Sequence, residues 1–390
     1  MTVVGPGLGT NMEQVPAQTH RFASRGLVPL SVIIPGKNPN LLRETLAACS
    51  GNAGSCPLEL IVVQEDGFPE SGSSHPVASG KPNVSCRWIR NEQGANSRNL
   101  GAQAARYDHL LFLAEDIQPL GEDFFQFHAS LHSSRSERNF AVLGGVDCGN
   151  PQRSEISFSP GCFLAGLEAP VCAGPAALSY LDYRHFSCSN VSIKKALIRD
   201  WTAEGFRADL SGAVGGLEFA YRLSKRLSRT LRILYEPAAL ALRVGRIALA
   251  ERMDNQVYAG SMMRVLLDEY PGAALDFGVE PLVHAVDGSS HAKARADRDY
   301  PRIIEAIKAW ARIVDRQAAL EGEACYLSFL VAVMEVCFLQ GLVTAYSGAA
   351  IPSEAGALIL ERFRRRCVQM SLAEFPVPGQ LPCLAGRIVF

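Results

Sequence analysis

An open α/β sheet domain with a helical region behind it is the fold class this sequence predicts, and three observations carry it. Short runs rich in Val, Ile and Leu end abruptly in Pro, Gly or acidic residues at Leu30–Ile34, Leu58–Val63 and His109–Leu113, the pattern of buried strands that feed loops. Helical spacing fills the intervals, giving the alternation of a mostly parallel sheet flanked by helices. Past Gly245 the periodicity is helical almost throughout. A chain of 390 residues has room for about two domains. The expected division is a Gly- and Pro-bearing leader over 1–28, the α/β domain over 29–245 and a helical extension over 246–390.

The elements follow in order. Pro35 and Gly36 close the first strand, and a helix should follow with Asn40 as cap, Leu41, Leu42, Thr45, Leu46 and Cys49 on one face, and a stop at Gly51 and Asn52. The second strand ends in Gln64, Glu65, Asp66 and Gly67, and a Ser/Gly/Pro-rich loop runs on to residue 83. A third strand is expected over Cys86–Ile89, a helix over Ala95–Ala105, and a fourth strand that runs straight into Ala114, Glu115 and Asp116. Next come a helix over Asp123–His132, a strand over Phe140–Val146 and a loop-rich stretch over Cys148–Tyr183. Helical spacing recurs over Ile193–Trp201 and Leu217–Arg226, and residues 231–242 alternate as a strand does. In the extension, helices are expected over Arg252–Tyr270, Tyr300–Leu320, Cys325–Tyr346 and Ser353–Met370.

Composition removes several function classes. Thirty-eight basic residues face thirty-nine acidic ones, so no whole-chain field draws in nucleic acid. The local run Arg362, Arg364, Arg365 and Arg366 reads as a solvated helix end. Eleven cysteines form no CxxC pair, which argues against a zinc ribbon or a thioredoxin-like site. The start MTVVGPGLGTNMEQ has neither a basic segment nor an apolar run, so a secretory leader is not expected and the cytoplasm is the default compartment. Cys325–Tyr346 is long enough to span a bilayer, but Glu335 at mid-span would be costly in lipid, so a buried helix is the better reading and peripheral membrane contact the alternative. No GxGxxG follows the first strand, which counts against a dinucleotide-dependent dehydrogenase.

Two acids where a buried strand ends have a specific use. Parallel sheets place ligands at the carboxyl ends of their strands. A hard divalent ion held there by carboxylates lets a nucleoside diphosphate sit beside protein acids and stabilises it as a leaving group. The neighbouring segments sharpen this reading. Ile34-Pro-Gly-Lys-Asn38, the acids Glu65 and Asp66, the run Asn91 to Gly101 with Arg98 and Asn99, and Leu110-Leu-Phe-Leu-Ala-Glu-Asp116 together resemble the donor-binding half of the second family of inverting glycosyltransferases, which have the GT-A fold. Phe186-Ser-Cys-Ser-Asn190-Val-Ser-Ile-Lys194 is similar to that family's acceptor-side strip, and Gly215-Gly-Leu-Glu218-Phe-Ala-Tyr-Arg-Leu223 to a later segment. The likeness spans residues 29–243.

The resemblance implies a GT-A-type nucleotide-diphospho-sugar transferase that moves a sugar to a small-molecule or peptide acceptor with inversion. Asp116 would hold Mg²⁺ or Mn²⁺, with Glu115 near the ribose or the ion. Arg98 and Asn99 would face the diphosphate, Pro35, Asn38, Glu65 and Asp66 would line the nucleoside pocket, and Ser189 and Asn190 would lie on the acceptor side. The helical extension is expected to cover the acceptor or build a homo-oligomer.

Three departures stand beside the likeness. Gly215 and Gly216 occupy the place of an acidic pair whose Asp is the family's base, Ala114 replaces the first acid of the metal triplet, and Arg243 stands where a His is expected. A missing base costs about 10²- to 10⁴-fold in rate. Glu218 or Asp209 could supply it. A thiol acceptor would need less help, and Arg243 could replace the ion's charge and make the metal dispensable. The other class of reading is a catalytically silent module that binds a nucleotide sugar or a partner. For Glu218 the bland alternative is an i,i+4 pair with Arg222.

Overall fold

The structure, a computed structural model, describes residues 28–65, 81–91, 96–147, 178–198, 204–210, 212–225, 231–244, 249–287, 300–309, 311, 324–348 and 351–369. They divide into two compact units. The described residues up to Val244, without Gly212–Val214, form the first; those three and the described residues from Leu249 onward form the second.

The first unit carries one nine-stranded sheet. Its strands are β1 (Leu30–Gly36), β2 (Leu58–Gln64), β3 (Val84–Arg90), β4 (His109–Leu113), β5 (Ile117–Pro119), β6 (Phe140–Asp147), β7 (Ser179–Leu181), β8 (Asn190–Lys194) and β9 (Arg232–Arg243). The spatial order is β3-β2-β1-β4-β8-β6-β9-β5, with β7 also on β9. Strands β1 to β4 are mutually parallel, β8 runs antiparallel between β4 and β6, and β6 and β9 are parallel again. The chain moves outward from β1 to β3 and then returns to lay β4 on the other side of β1. That reversal of order is where open α/β sheets bind ligands, beyond the carboxyl ends of the strands.

Burial on both faces explains the near-continuous apolar runs of the parallel strands. Leu30, Val32 and Ile34 of β1 pack on one side, with Leu42 and Leu46 of α1 (Pro39–Gly51) and Phe124, Phe125 and Ala129. Ile33 points to the other side, where Ala102 of α2 (Ser97–Ala104), Phe112 and Phe206 lie. Phe124, Phe125 and Ala129 belong to α3 (Phe124–Ser133); Phe219, Ala220 and Leu223 of the second face belong to α4 (Gly212–Lys225).

Two expectations are corrected. The cap of α1 is Asn38, whose Oδ1 accepts from the Asn40 and Leu41 N–H groups, because Pro39 already takes the first helical position and needs no donor partner. The helix expected from Ile193 is instead strand β8 followed by a single 3₁₀ turn at Lys195–Leu197. Its β-branched Val191 and Ile193 are bonded on both sides, to β4 and β6, and such central positions override a weak helical spacing.

The second unit is helical: α5 (Leu249–Glu269), α6 (Ala273–Asp276), α7 (Glu280–Asp287), a helical stretch over 300–309, α8 (Ala324–Ser347) and α9 (Ser353–Gln369). Helices α5 and α8 meet at two glycines: a Cβ on Gly260 would strike the Phe338 carbonyl, and one on Gly341 the Val257 carbonyl. Glu335, the acid inside the apolar Cys325–Tyr346 run, is buried and paired with Arg362 at 3.1 Å. Among the described residues, no helix is long and apolar enough to cross a membrane.

Candidate functional site

The turn that closes β4 carries two adjacent acids, Glu115 and Asp116. Glu115 reaches across to the end of β1, where its Oε2 accepts from the backbone N–H groups of Lys37 and Asn38 at 2.7 and 2.9 Å. Its carbonyl accepts from the Thr45 hydroxyl of α1 at 2.6 Å. The carboxylate thus ties together the two strands at which the sheet order reverses. Burial raises the Glu115 pKa; the two N–H donors oppose that, and the nearby charges of Asp116 and Glu65 add to it. Glu65, at the end of β2, lies 3.8 Å from the Lys37 ammonium.

Asp116 is positioned by the pairing of β5 with β9. Ile117 faces Arg243 across that ladder, and the Val244 N–H bonds the Asp116 carbonyl at 2.8 Å. The register sets the Arg243 guanidinium against the Asp116 carboxylate at 2.5 Å, a pair whose side chains are 15% and 11% exposed. The second terminal nitrogen of Arg243 reaches the Ser189 hydroxyl at 3.4 Å. Burying an ion pair is tolerable only when both partners stay engaged.

Arg98 stands in the first turn of α2, with its guanidinium 5.8 Å from the centre of the Phe206 ring. Its charge opposes the burial that raises the Cys188 thiol pKa. The buried Nε of Arg98 has no acceptor among the described residues, and neither has the Nε of Arg243. Cys188 and Ser189 are neighbours in the strip that enters β8, so both arginines address one short segment beside the end of β4.

The other expected site residues divide into those still presented and those already engaged. Pro35 lies half-buried near the end of β1, and Asn38 uses its side chain as the α1 cap. Asp66 lies outside the described residues. Asn99 spends both ends of its amide on the Phe206 backbone, at 2.7 and 2.9 Å, holding that segment against α2. Asn190 is fully buried: its Nδ2 donates to the Gly145 and Ala239 carbonyls, each at 3.0 Å, and its Oδ1 faces His128. Gly144 makes this possible, because a Cβ there would strike that amide. Glu218 is fully buried in α4 and bonded to Arg222 at 2.8 Å, and Arg222 also donates to the Gly205 carbonyl. Asp209 is 54% exposed and paired with Arg207, whose hydrogen bond lowers its pKa.

The glycines in place of the acidic pair have structural reasons. A Cβ on Gly215 would lie 2.6 Å from the Leu210 carbonyl oxygen, and one on Gly216 would lie 3.1 Å from the Cys188 sulfur. Gly215 has no room for a side chain unless the backbone moves, and at Gly216 the Cys188 side chain would have to give by a few tenths of an ångström.

One cluster was not foreseen. His128 and His132, one turn apart on α3, meet Ser192 and Asn190 of β8 under the sheet. Asn190 gives both amide protons to carbonyls, so His128 Nε2 donates to its Oδ1, His128 Nδ1 accepts from Ser192 Oγ, and His132 Nε2 donates to that hydroxyl. His132 Nδ1 is left buried without a partner among the described residues. The i,i+4 spacing of two histidines in an apolar helix was the signal available in the sequence.

Among the described residues, the turn offers a resident divalent ion few free ligands. Ala114 offers no ligand, Glu115 commits its Oε2 to two backbone N–H groups, and Asp116 commits its Oδ2 to Arg243. Among the described residues no three His, Cys, Asp or Glu side chains converge on a point.

No protein-family model matches the chain, and no curated protein matches its sequence. Solved structures similar to it include a mannosyltransferase, PcManGT, from Pyrobaculum calidifontis in complex with GDP-Man and Mn²⁺, at 13% identity and a TM-score of 0.48 over 82% of this chain and 88% of that one. Another is S. aureus TarS 1-349 in complex with UDP-GlcNAc, at 13% identity and 0.43 over 89% and 92%. A third is GalNAc-T7 with UDP, GalNAc and Mn²⁺, at 13% identity and 0.43 over 68% and 52%. Likenesses this distant carry no weight for the activity of this chain; its own geometry must.

Proposed function

We propose that this chain is a glycosyltransferase of the GT-A type, which binds a nucleotide-diphosphate sugar at the carboxyl ends of β1, β2 and β4 and transfers the sugar, with inversion, to a small-molecule or peptide acceptor. The observation that carries the reading is the Glu115 bridge from the end of β4 to Lys37 and Asn38 at the end of β1, made where the strand order reverses. In this reading Pro35, Asn38 and Glu65 border the nucleoside, joined by Asp66, with Glu115 fixing the β1 turn. Arg98 and Arg243 face the diphosphate, Asp116 orients Arg243, and Ser189 adjoins the transferring sugar. Asn99 and Asn190 act as positioning residues, through the Phe206 segment and the Gly145 and Ala239 carbonyls. The domain operates in the cytoplasm.

For inversion the acceptor atom attacks the anomeric carbon as the bond to the diphosphate breaks, and its proton must leave. Asp209 is the solvent-facing carboxylate of the two candidates, and Glu218 is withdrawn into α4. A lowered pKa makes Asp209 a weak base, so an acceptor that ionises readily suits this site best.

A specific observation also favours the silent module: the usual acidic pair is replaced by Gly215 and Gly216, and Gly215 packs on the Leu210 carbonyl with no space for a side chain. Incubating the purified protein with a panel of nucleotide sugars and cell extract, and following nucleotide release, separates the two. Acceptor-dependent release is expected. Saturable binding without release would assign the silent module, and no binding of any nucleotide sugar would sink both.

A further inference from the structure

We infer that the diphosphate is held by the Arg98 and Arg243 guanidinium groups with no divalent ion, so that donor binding by this chain is metal-independent. The inference rests on the nucleotide-sugar reading above and specifies how that site handles charge.

A nucleoside diphosphate brings two or more negative charges to a turn that already holds Glu115 and Asp116, so positive charge has to be supplied locally. The ladder between β5 and β9 supplies some of it, because Ile117 opposite Arg243 fixes a guanidinium on the carboxylate that would otherwise be free for an ion. That guanidinium bridges Asp116 to Ser189, which fixes its plane. Arg98 adds a second cation next to Cys188 and has no acidic partner among the described residues. Arg98 and Arg243 together balance Glu115 and Asp116, which without them would leave two negative charges. Both arginines also keep a buried Nε–H without an acceptor among the described residues. Buried donors of that kind are rare unless a ligand or water completes them, and arginine forks match phosphate oxygens in a bidentate manner. A metal ligand paired to arginine and two unspent arginine donors are the opposite of a cation site and the makings of an anion site.

The test is titration calorimetry on the full chain, with UDP, GDP, CDP, ADP and dTDP as probes, in EDTA and again in excess Mn²⁺, repeated with Arg98→Ala and Arg243→Ala. Expected is one preferred diphosphate whose dissociation constant in EDTA lies within about threefold of that in Mn²⁺, and a loss of at least tenfold in each variant. Binding that appears only with Mn²⁺ would overturn the inference and leave the nucleotide-sugar reading standing. Unchanged affinity in both variants would do the same. Binding of none of the five probes, in either buffer, would instead remove the nucleotide-sugar reading. Should either alanine variant fail to fold by circular dichroism, Arg98→Lys and Arg243→Lys take its place; they keep the charge but lose the fork, and a loss of at least fivefold is expected.

Discussion

Glu218 shows how one side chain can look catalytic in the sequence and act as a support in the fold. It closely follows the glycine pair, yet its carboxylate has no exposed surface and meets the Arg222 guanidinium at 2.8 Å. Removing one partner of a buried ion pair strands the other, at a cost of about 3–5 kcal/mol. Glu218→Ala should therefore lower the urea midpoint strongly, while Glu218→Gln, which keeps a hydrogen bond, should lose less and retain turnover. A hundredfold loss of turnover in a stably folded Glu218→Gln protein would make Glu218 the base after all. Gly215 gives a second residue-scale prediction. Replacing a helical glycine gains at most about 1 kcal/mol of propensity, whereas forcing a side chain against a backbone carbonyl costs about 1–3 kcal/mol. Gly215→Asp should thus be destabilised by denaturant titration and should not raise turnover, because the Leu210 carbonyl stands 2.6 Å from where its Cβ would be.

Among the elements, α1 and α8 test opposite kinds of helix support. The α1 N-terminus depends on Asn38, whose side chain satisfies two of the N–H groups that a helix leaves unpaired. Asn38→Ala should cost about 1 kcal/mol in a urea titration; a neutral result would show that Glu115, which holds the Asn38 backbone, suffices alone. Helix α8 depends on the absence of a side chain, and Gly341→Leu should remove the α5–α8 packing and lower the helical circular-dichroism melting temperature. The strands of the parallel half were legible because their apolar runs are short, β-branched and ended by Gly, Pro or acids. Strand β8 was not, since Asn190 and Ser192 are polar at the centre of a sheet and are satisfied by His128, His132 and two distant carbonyls. The site was legible in the same uneven way. Which residues cluster near the ends of β1 and β4 could be read from motif order, but the Asp116–Arg243 pair joins positions 127 apart and exists only through the β5–β9 register. Asn99 and Asn190 resembled ligand contacts because residue type does not reveal that a backbone group has already claimed the amide.

For the molecule as a whole, the buried histidines predict a pH-dependent stability whose window is separate from that of the carboxylates with lowered pKa values. Burial lowers the His128 pKa from 6.5 to about 4, against a weaker opposing hydrogen bond from Asn190. Burial also pushes His132 well down, helped by the positive charge that His109, His128 and Lys194 would place beside it. His109 is itself lowered, mainly by burial. A histidine whose folded pKa lies below its unfolded value is neutral in the native state, so the unfolded chain binds more protons as the solution is acidified. Stability is then complete above about pH 6.5 and falls as the pH drops toward 4, by about 1.4 kcal/mol per pH unit for each such group. His128 alone would remove about 3 kcal/mol over that interval. The carboxylates with lowered values, Asp182 and Asp209, lose their contribution only below their ordinary value of 3.8, whereas Glu115, raised by burial from 4.5, acts in the opposite sense and returns stability as the pH falls toward 4.5. Urea midpoints of the first unit's transition measured from pH 7.5 to 4.5 should decline steadily from near 6.5. A flat profile there would mean that the native state takes up protons at His128 and His132 as readily as the unfolded chain does, and that the Ser192–Asn190 network under the sheet opens to water.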